Sequence, residues 1–236
     1  MNILMVVCAR GGSKGVKNKN IRLLCGKPLI AYSLEHCKAW GRAAHIIVST
    51  DSSEIAEIAL RWGAEVPFMR PPELATDTAP KVPVIRHALL SAEAYYGSQF
   101  DVVVDIDASA PLRTVRDIEG AFQAFCFGEV DTVFSVVPAH RNPYFNMVEE
   151  GLDGYCQLVK PLPGVITSRQ IAPKVFDLNA SIYFYKSDYL RDLAVLSPIS
   201  RKSKVYVMDP ICARDIDSEE DFNYVEYLVQ RGLVTL

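Results

Sequence analysis

Residues Ile3 to Val7 are five consecutive apolar positions rich in branched side chains. A run without polar alternation predicts a strand covered on both faces, as at the centre of a parallel sheet. Comparable runs lie at His45 to Thr50, Asp101 to Asp107 and Thr132 to Val137. Between them the apolar positions fall at helical spacing. Leu29, Ile30, Leu34 and Cys37 follow Pro28, a residue tolerated in a first helical turn. Further helices are predicted at Glu54 to Trp62 behind the capping segment Asp51-Ser52-Ser53, at Val82 to Tyr96 and at Val115 to Phe127, with a short extended piece at Glu65 to Phe68. Strands alternating with helices of this length imply right-handed crossovers, and so an α/β fold with a mostly parallel sheet flanked by helices.

From Pro138 to Leu178 the rhythm breaks. Prolines, glycines and polar turns predominate, with short strands expected near Tyr144 to Met147 and Tyr155 to Val159. This stretch, about 138–178, predicts an insertion arm. The alternation resumes with a strand at Ala180 to Tyr185, another at Lys204 to Val207 and a helix at Glu219 to Gln230. At 236 residues and 50% hydrophobic content the chain suits one domain, 1–236, carrying that arm.

Charge and cysteine content narrow the partners. A formal net charge of -3 offers no electrostatic footprint for nucleic acid, so any anionic ligand must be met locally. The six cysteines are scattered without a Cys-x-x-Cys pair, which reads as reduced thiols rather than a zinc site. Several fall in apolar runs and read as small hydrophobes; Cys8, beside a glycine-rich loop, is the one placed near chemistry. The N-terminal apolar run is too short for a signal sequence and no stretch approaches a membrane span, so the expectation is a cytoplasmic protein. The histidines His36, His45 and His87 fall on expected helices or a strand and read as structural, while His140 lies on the arm.

The segment Cys8-Ala9-Arg10-Gly11-Gly12-Ser13-Lys14-Gly15 leaves the first strand, yet matches neither the dinucleotide fingerprint nor the P-loop. No helix is expected before Gly26, so the loop from Ala9 to Cys25 must organise a ligand by itself. Gly11 and Gly12 let backbone N–H groups approach phosphate oxygens, and Arg10, Lys14 and Lys19 add charge-assisted donors. Clustered cations on a loop are more often simply solvated. Position argues for phosphate, because ligands of open α/β sheets bind beyond the carboxyl ends of the strands.

The opening Ala9-Arg10-Gly11-Gly12-Ser13-Lys14-Gly15, with Lys19-Asn20 and Gly26-Lys27-Pro28-Leu29, resembles the start of the cytidylyltransferases that activate sialic acid and related nonulosonic acids. Further segments keep that family's order: Ser49-Thr50-Asp51, Arg70 to Thr78, Ala110-Pro111-Leu112-Arg113, Arg169-Gln170, Asn179 to Tyr183 and Asp215-Ile216-Asp217. The resemblance spans nearly the whole chain. It implies a Rossmann-like fold of the nucleotidyltransferase type whose arm mediates dimerisation. It also implies transfer of CMP from CTP to the anomeric hydroxyl of a nine-carbon keto-sugar acid, with pyrophosphate released. By resemblance Arg10, Gly11, Gly12, Ser13, Lys14, Lys19 and Asn20 surround the nucleotide, and Arg70 and Thr78 join them from a second loop.

Asp215 and Asp217, two apart, share a face if the segment is extended. On residues alone they read as acidic lead-in to the helix capped by Ser218. The resemblance makes them the seat of Mg²⁺ (or Mn²⁺). Asp105 and Asp107 repeat the spacing at the end of the third strand. Sialic acid enzymes usually carry glutamine where Asp107 stands, and its carboxylate is open to three roles: accepting from the base, accepting from the sugar, or joining the metal shell. On the sugar side the resemblance points to Arg169 for the substrate carboxylate and Asn179 for hydroxyl or acylamino groups. On residues alone Arg169 reads equally as an exposed cation on the arm. Asp177 replaces a common arginine, which widens the acceptor from sialic to legionaminic or related acids. Two rivals stand beside this reading: a nucleotidyltransferase for another sugar acid or sugar phosphate, and a noncatalytic nucleotide-sensing domain.

Overall fold

The computed structural model describes residues 1–164, 166 and 168–236. Its elements in chain order are β1 (Ile3–Cys8), β2 (Leu23–Leu24), β3 (Lys27–Pro28), α1 (Leu29–Trp40), β4 (His45–Ser49), α2 (Ser53–Arg61), α3 (Lys81–Tyr96), β5 (Val102–Asp107) and α4 (Val115–Cys126). There follow β6 (Thr132–Pro138), β7 (Val148–Glu150), β8 (Cys156–Leu158), β9 (Phe176–Lys186), α5 (Ser187–Arg191), β10 (Ser203–Val207) and α6 (Glu219–Gln230). A six-stranded sheet in the order β10-β6-β9-β5-β1-β4 forms the centre. Every pairing in it is parallel except those of β9, which runs antiparallel to both β5 and β6.

The unbroken apolar runs have a direct cause. Along β1, Ile3, Met5 and Val7 enter a core shared with α1, α2 and α4, while Leu4 and Val6 enter a second core under α3 and α5. Both faces are therefore buried, and each side chain removed from water contributes about 1.5–3 kcal/mol. A third cluster packs Val16, Leu24, Leu29 and Ile216 against Phe222, Val225 and Leu228 of α6. That cluster ties the loop after β1 to the C-terminal segment.

Three local expectations change. Pro28 pairs with Leu23 in a hairpin and α1 begins after it, because the hairpin carbonyl of Arg22 accepts from the Leu29 N–H at 3.0 Å. The loop from Ala9 to Cys25 is not free of helix, since Lys19–Ile21 makes a single tight turn. In the arm the first strand lies at Val148–Glu150 rather than near Tyr144. The buried Asn142 accepts from the Tyr144 N–H at 3.0 Å and donates to the Pro173 carbonyl at 3.0 Å, which holds that stretch in a turn.

β9 is longer than expected and starts opposite the end of β6, with Pro138 paired to Phe176. The arm accordingly spans 139–175, and leaves and re-enters the sheet at one point, on the side where β1 and β5 end. β9 returns directly beside β6 after this excursion, so it must run antiparallel. Among the described residues no helix is long and apolar enough to cross a membrane.

Candidate active site

The site grows from the sheet register. Cys8 at the end of β1 lies opposite Ser49 of β4 on one side and Asp107 of β5 on the other. The chain therefore leaves three adjacent strands at one crevice, where neighbouring crossovers diverge. A cavity of about 340 Å³ opens there. Arg10, Ser13, Lys14, Lys19 and Asn20 line it from the first loop, with Arg70, Asp107, Asp215 and Asp217 from three other segments. Segments far apart in sequence thus meet at one place.

Its cationic wall is built by local geometry. Gly12 takes φ +66°, a left-handed turn that a side chain would strain. The Gly11 N–H donates to Asp51 at 2.9 Å, so this amide, expected at phosphate, is committed to the neighbouring loop instead. Asn20, buried, donates to the Arg10 carbonyl at 3.0 Å and holds the loop closed on itself. Arg10 pairs with Asp77 at 2.5 Å, and Lys14 pairs with the other oxygen of the same carboxylate. Hydrogen bonds from Lys14 and then Arg10 hold the Asp77 carboxyl below the usual carboxylate range. Arg70 is buried and its Nε donates to the Ser49 hydroxyl at 3.1 Å, which anchors the second loop to β4.

The acidic wall faces it. Ile216 is fully buried and its N–H donates to the Ser109 carbonyl at 3.0 Å, while Asp215 and Asp217 on either side both reach the cavity. The alternation expected of an extended segment is thus realised. Asp217 pairs with Lys19 at 2.9 Å, and Lys19 also donates to the Ile216 carbonyl at 2.6 Å. Asp107 is held by its own turn, its Oδ1 accepting from the Ser109 N–H at 2.8 Å and hydroxyl at 2.6 Å. Burial, followed by the charge of Asp107, pushes the Asp215 carboxyl up to about 6. Its Oδ1 is buried and has no hydrogen-bond partner among the described residues.

An unpartnered buried carboxylate oxygen beside further carboxylates suits a hard divalent cation. Among the described residues no group of three or more His, Cys, Asp or Glu side chains could enclose a metal. Two aspartates fit an ion that completes its shell with water and substrate phosphates, the usual habit of Mg²⁺.

Other expected residues stand elsewhere. Asp105, two residues before Asp107, is 1% exposed and bound to the half-buried Lys81 at 2.7 Å, so it is committed to an ion pair and does not line the cavity. Asn179, expected at the sugar, accepts from the Ser135 hydroxyl at 2.6 Å and donates toward the Met208 sulfur at 3.3 Å. It closes a bulge where the β6–β9 register shifts and Ala180 takes φ +55°. Thr78 is exposed one residue beyond Asp77 and does not line the cavity. Arg169 donates to the His140 carbonyl and lines a separate cavity of about 470 Å³ with His140, Asp177 and Arg214. Arg214, the residue before Asp215, also belongs to this second cavity. Burial pushes the Cys8 thiol up to about 12, which makes it inert despite its place in the lining.

Sequence reasoning left Asp77, Ser109, Gly15 and Arg113 without roles. Arg113 is 1% exposed, donates to Ser33 at 2.7 Å and to the hydroxyl and carbonyl of Ser181 at 3.0 Å, and reaches the Asp107 carbonyl at 3.3 Å. It braces the end of β5 from inside the protein. Nothing in Ala110-Pro111-Leu112-Arg113 signals burial, since arginine is rarely inside without a carboxylate partner.

Cations and carboxylates lining one cavity suit a polyphosphate together with a divalent cation, the requirement of phosphoryl and nucleotidyl transfer. A family described as Cytidylyltransferase matches residues 4–149. The chain is 50% identical to the post-translational flagellin modification protein B of Campylobacter coli, over 97% of this chain and 95% of that protein. It is 47% identical to the CMP-N,N'-diacetyllegionaminic acid synthase of Campylobacter jejuni, over 96% of this chain and 94% of that one. A solved CMP:2-keto-3-deoxy-manno-octonic acid synthetase complexed with CTP superposes with a TM-score of 0.71 at 16% identity, covering 98% of this chain and 100% of that one. At that identity the superposition shows the fold alone.

Proposed function

The chain belongs to the cytidylyltransferase family, and from that membership we propose that it transfers the CMP group of CTP to the anomeric hydroxyl of a nonulosonic acid, releasing pyrophosphate. One observation carries the reading: Arg10, Lys14 and Lys19 line a single cavity together with Asp215 and Asp217, and Lys19 is paired with Asp217 there.

Arg10, Lys14 and Lys19 bind the triphosphate and neutralise charge gathering on its oxygens as the α-phosphorus is attacked in line. Ser13 and Asn20 border the same space and orient the nucleotide, with Arg70 joining them from the second loop; Thr78, exposed outside the cavity, takes no part. Asp215 and Asp217 hold Mg²⁺ or Mn²⁺, which when bound supplies Lewis-acid stabilisation of the reacting phosphate. Asp107, fixed by Ser109 on the same floor, accepts a hydrogen bond from substrate. Arg169 and Arg214 in the second cavity suit the carboxylate of the sugar acid. Asp177 beside them adds an acceptor for N–H or O–H groups of the acceptor sugar.

N,N'-Diacetyllegionaminic acid heads the acceptor series, since the relative at 47% identity is named for it. The arm exposes Val148, Leu152 and Tyr155 around its hairpin, which supports a homodimer formed through this element. All six cysteines are free, in keeping with a reducing cytoplasm where CTP is available.

The test is pyrophosphate release with CTP and GTP in parallel, against legionaminic, sialic, pseudaminic and octulosonic acids. Release with CTP and a nine-carbon acid is expected. Turnover of octulosonic acid alone would move the chain to another sugar acid, and CTP binding without turnover of any acid would make it a nucleotide sensor.

A further inference from the structure

Asp77 reaches the cation wall from a different loop, between the turn Pro72–Leu74 and α3. Its two carboxylate oxygens take one cation each, Arg10 at 2.5 Å and Lys14. Both cations line the cavity and Asp77 does not. A bridging carboxylate uses the same N–H donors that a phosphate would use, so the two anions compete.

Exposure separates this contact from its neighbour. Lys14 is 80% exposed, whereas Lys19 beside Asp217 is only 16% exposed and is also held by a backbone carbonyl. An exposed pair is weak and readily exchanged, while a polyphosphate offers more charge and more oxygens.

We propose that Asp77 is a built-in competing anion. It holds Arg10 and Lys14 in place in the free enzyme, yields them to the polyphosphate of the nucleotide, and takes them back as pyrophosphate leaves. It is a positioning residue that acts through the two cations. The proposal rests on the nucleotide site described above.

Calorimetric titration with CTP and with inorganic tripolyphosphate tests it, comparing wild type, Asp77→Asn, Asp77→Glu and Glu73→Gln. Glu73→Gln makes the same charge change on the same exposed loop away from the cations. Asp77→Asn should bind both ligands about threefold to tenfold more tightly. Asp77→Glu and Glu73→Gln should stay near wild type. In turnover, Asp77→Asn should show a lower KM for CTP, a lower kcat and stronger inhibition by pyrophosphate. A merely structural carboxylate predicts the reverse, weaker binding with a lowered Tm. Unchanged or weaker binding by Asp77→Asn, its failure to fold, or tighter binding shared by Glu73→Gln would overturn the proposal while leaving the nucleotide site intact. Wild-type protein that binds neither ligand would remove the site itself.

Discussion

Gly15 packs against the Asp217 backbone so closely that a Cβ on it would lie 1.9 Å from the Asp217 carbonyl oxygen. Both residues line the cavity, and this contact sets how near the first loop and the C-terminal segment approach each other. Gly15→Ala must push them apart. A shift of about 1 Å between reacting groups costs roughly 100-fold in rate, so kcat/KM should fall by about that factor. Steady-state kinetics with CTP checks it, and activity near wild type would show that the walls are free to adjust.

The metal assignment predicts an ordered loss. Asp215→Asn and Asp217→Asn should each lower kcat by about 100-fold or more, the scale seen when one preorganised charge-stabilising group is removed. Paramagnetic titration with Mn²⁺ in the presence of CTP should show one bound ion per wild-type chain and markedly weaker binding in Asp215→Asn. Turnover that persists at full rate in excess chelator would refute the assignment.

Arg113 gathers Ser33, Ser181 and the Asp107 carbonyl inside the protein. Arg113→Lys keeps the charge but cannot span three acceptors from one nitrogen, leaving buried oxygens unpaired. The expected cost is about 2–4 kcal/mol in folding stability, measured by chemical denaturation. A loss under 0.5 kcal/mol would mean that the arginine fills space without bracing β5.

His36 supplies a pH dependence. Burial, then the charge of Arg113, lowers its pKa from 6.5 to about 4. In this window the unfolded chain binds the proton and the folded one does not, so stability is full above pH 6.5 and falls as the pH drops toward 4. The loss attributable to this residue is about 3 kcal/mol. His36→Gln should remove that part of the slope, seen as the difference between the two stability profiles from pH 7 to 4. Parallel profiles would place the dependence on other groups.

Much of the fold was legible in the chain because strand and helix periodicity are local. Buried runs such as Ile3 to Val7 name their own environment, and Ser52 and Ser218 cap their helices as short-range chemistry dictates. The antiparallel course of β9 was not legible, since strand direction depends on where the arm returns rather than on the residues of Ala180 to Tyr185.

The site divides in the same way. Arg10, Lys14 and Lys19 were recognisable from residue type and their place after a strand, whereas Asp215 and Asp217 stood out only through the family resemblance; the structure brings all five into one cavity. Asn179 was expected in that company, yet a bulge turned its side chain to Ser135. Asp77 and Arg113 carried no local signal of their partners, because those partners lie on other segments and meet them only when the sheet register aligns the strand ends. The sequence by itself determined which chemistry is present and on which kind of element. Only the tertiary structure decided which charges face one another, because such pairings are set by long-range packing that no local pattern encodes.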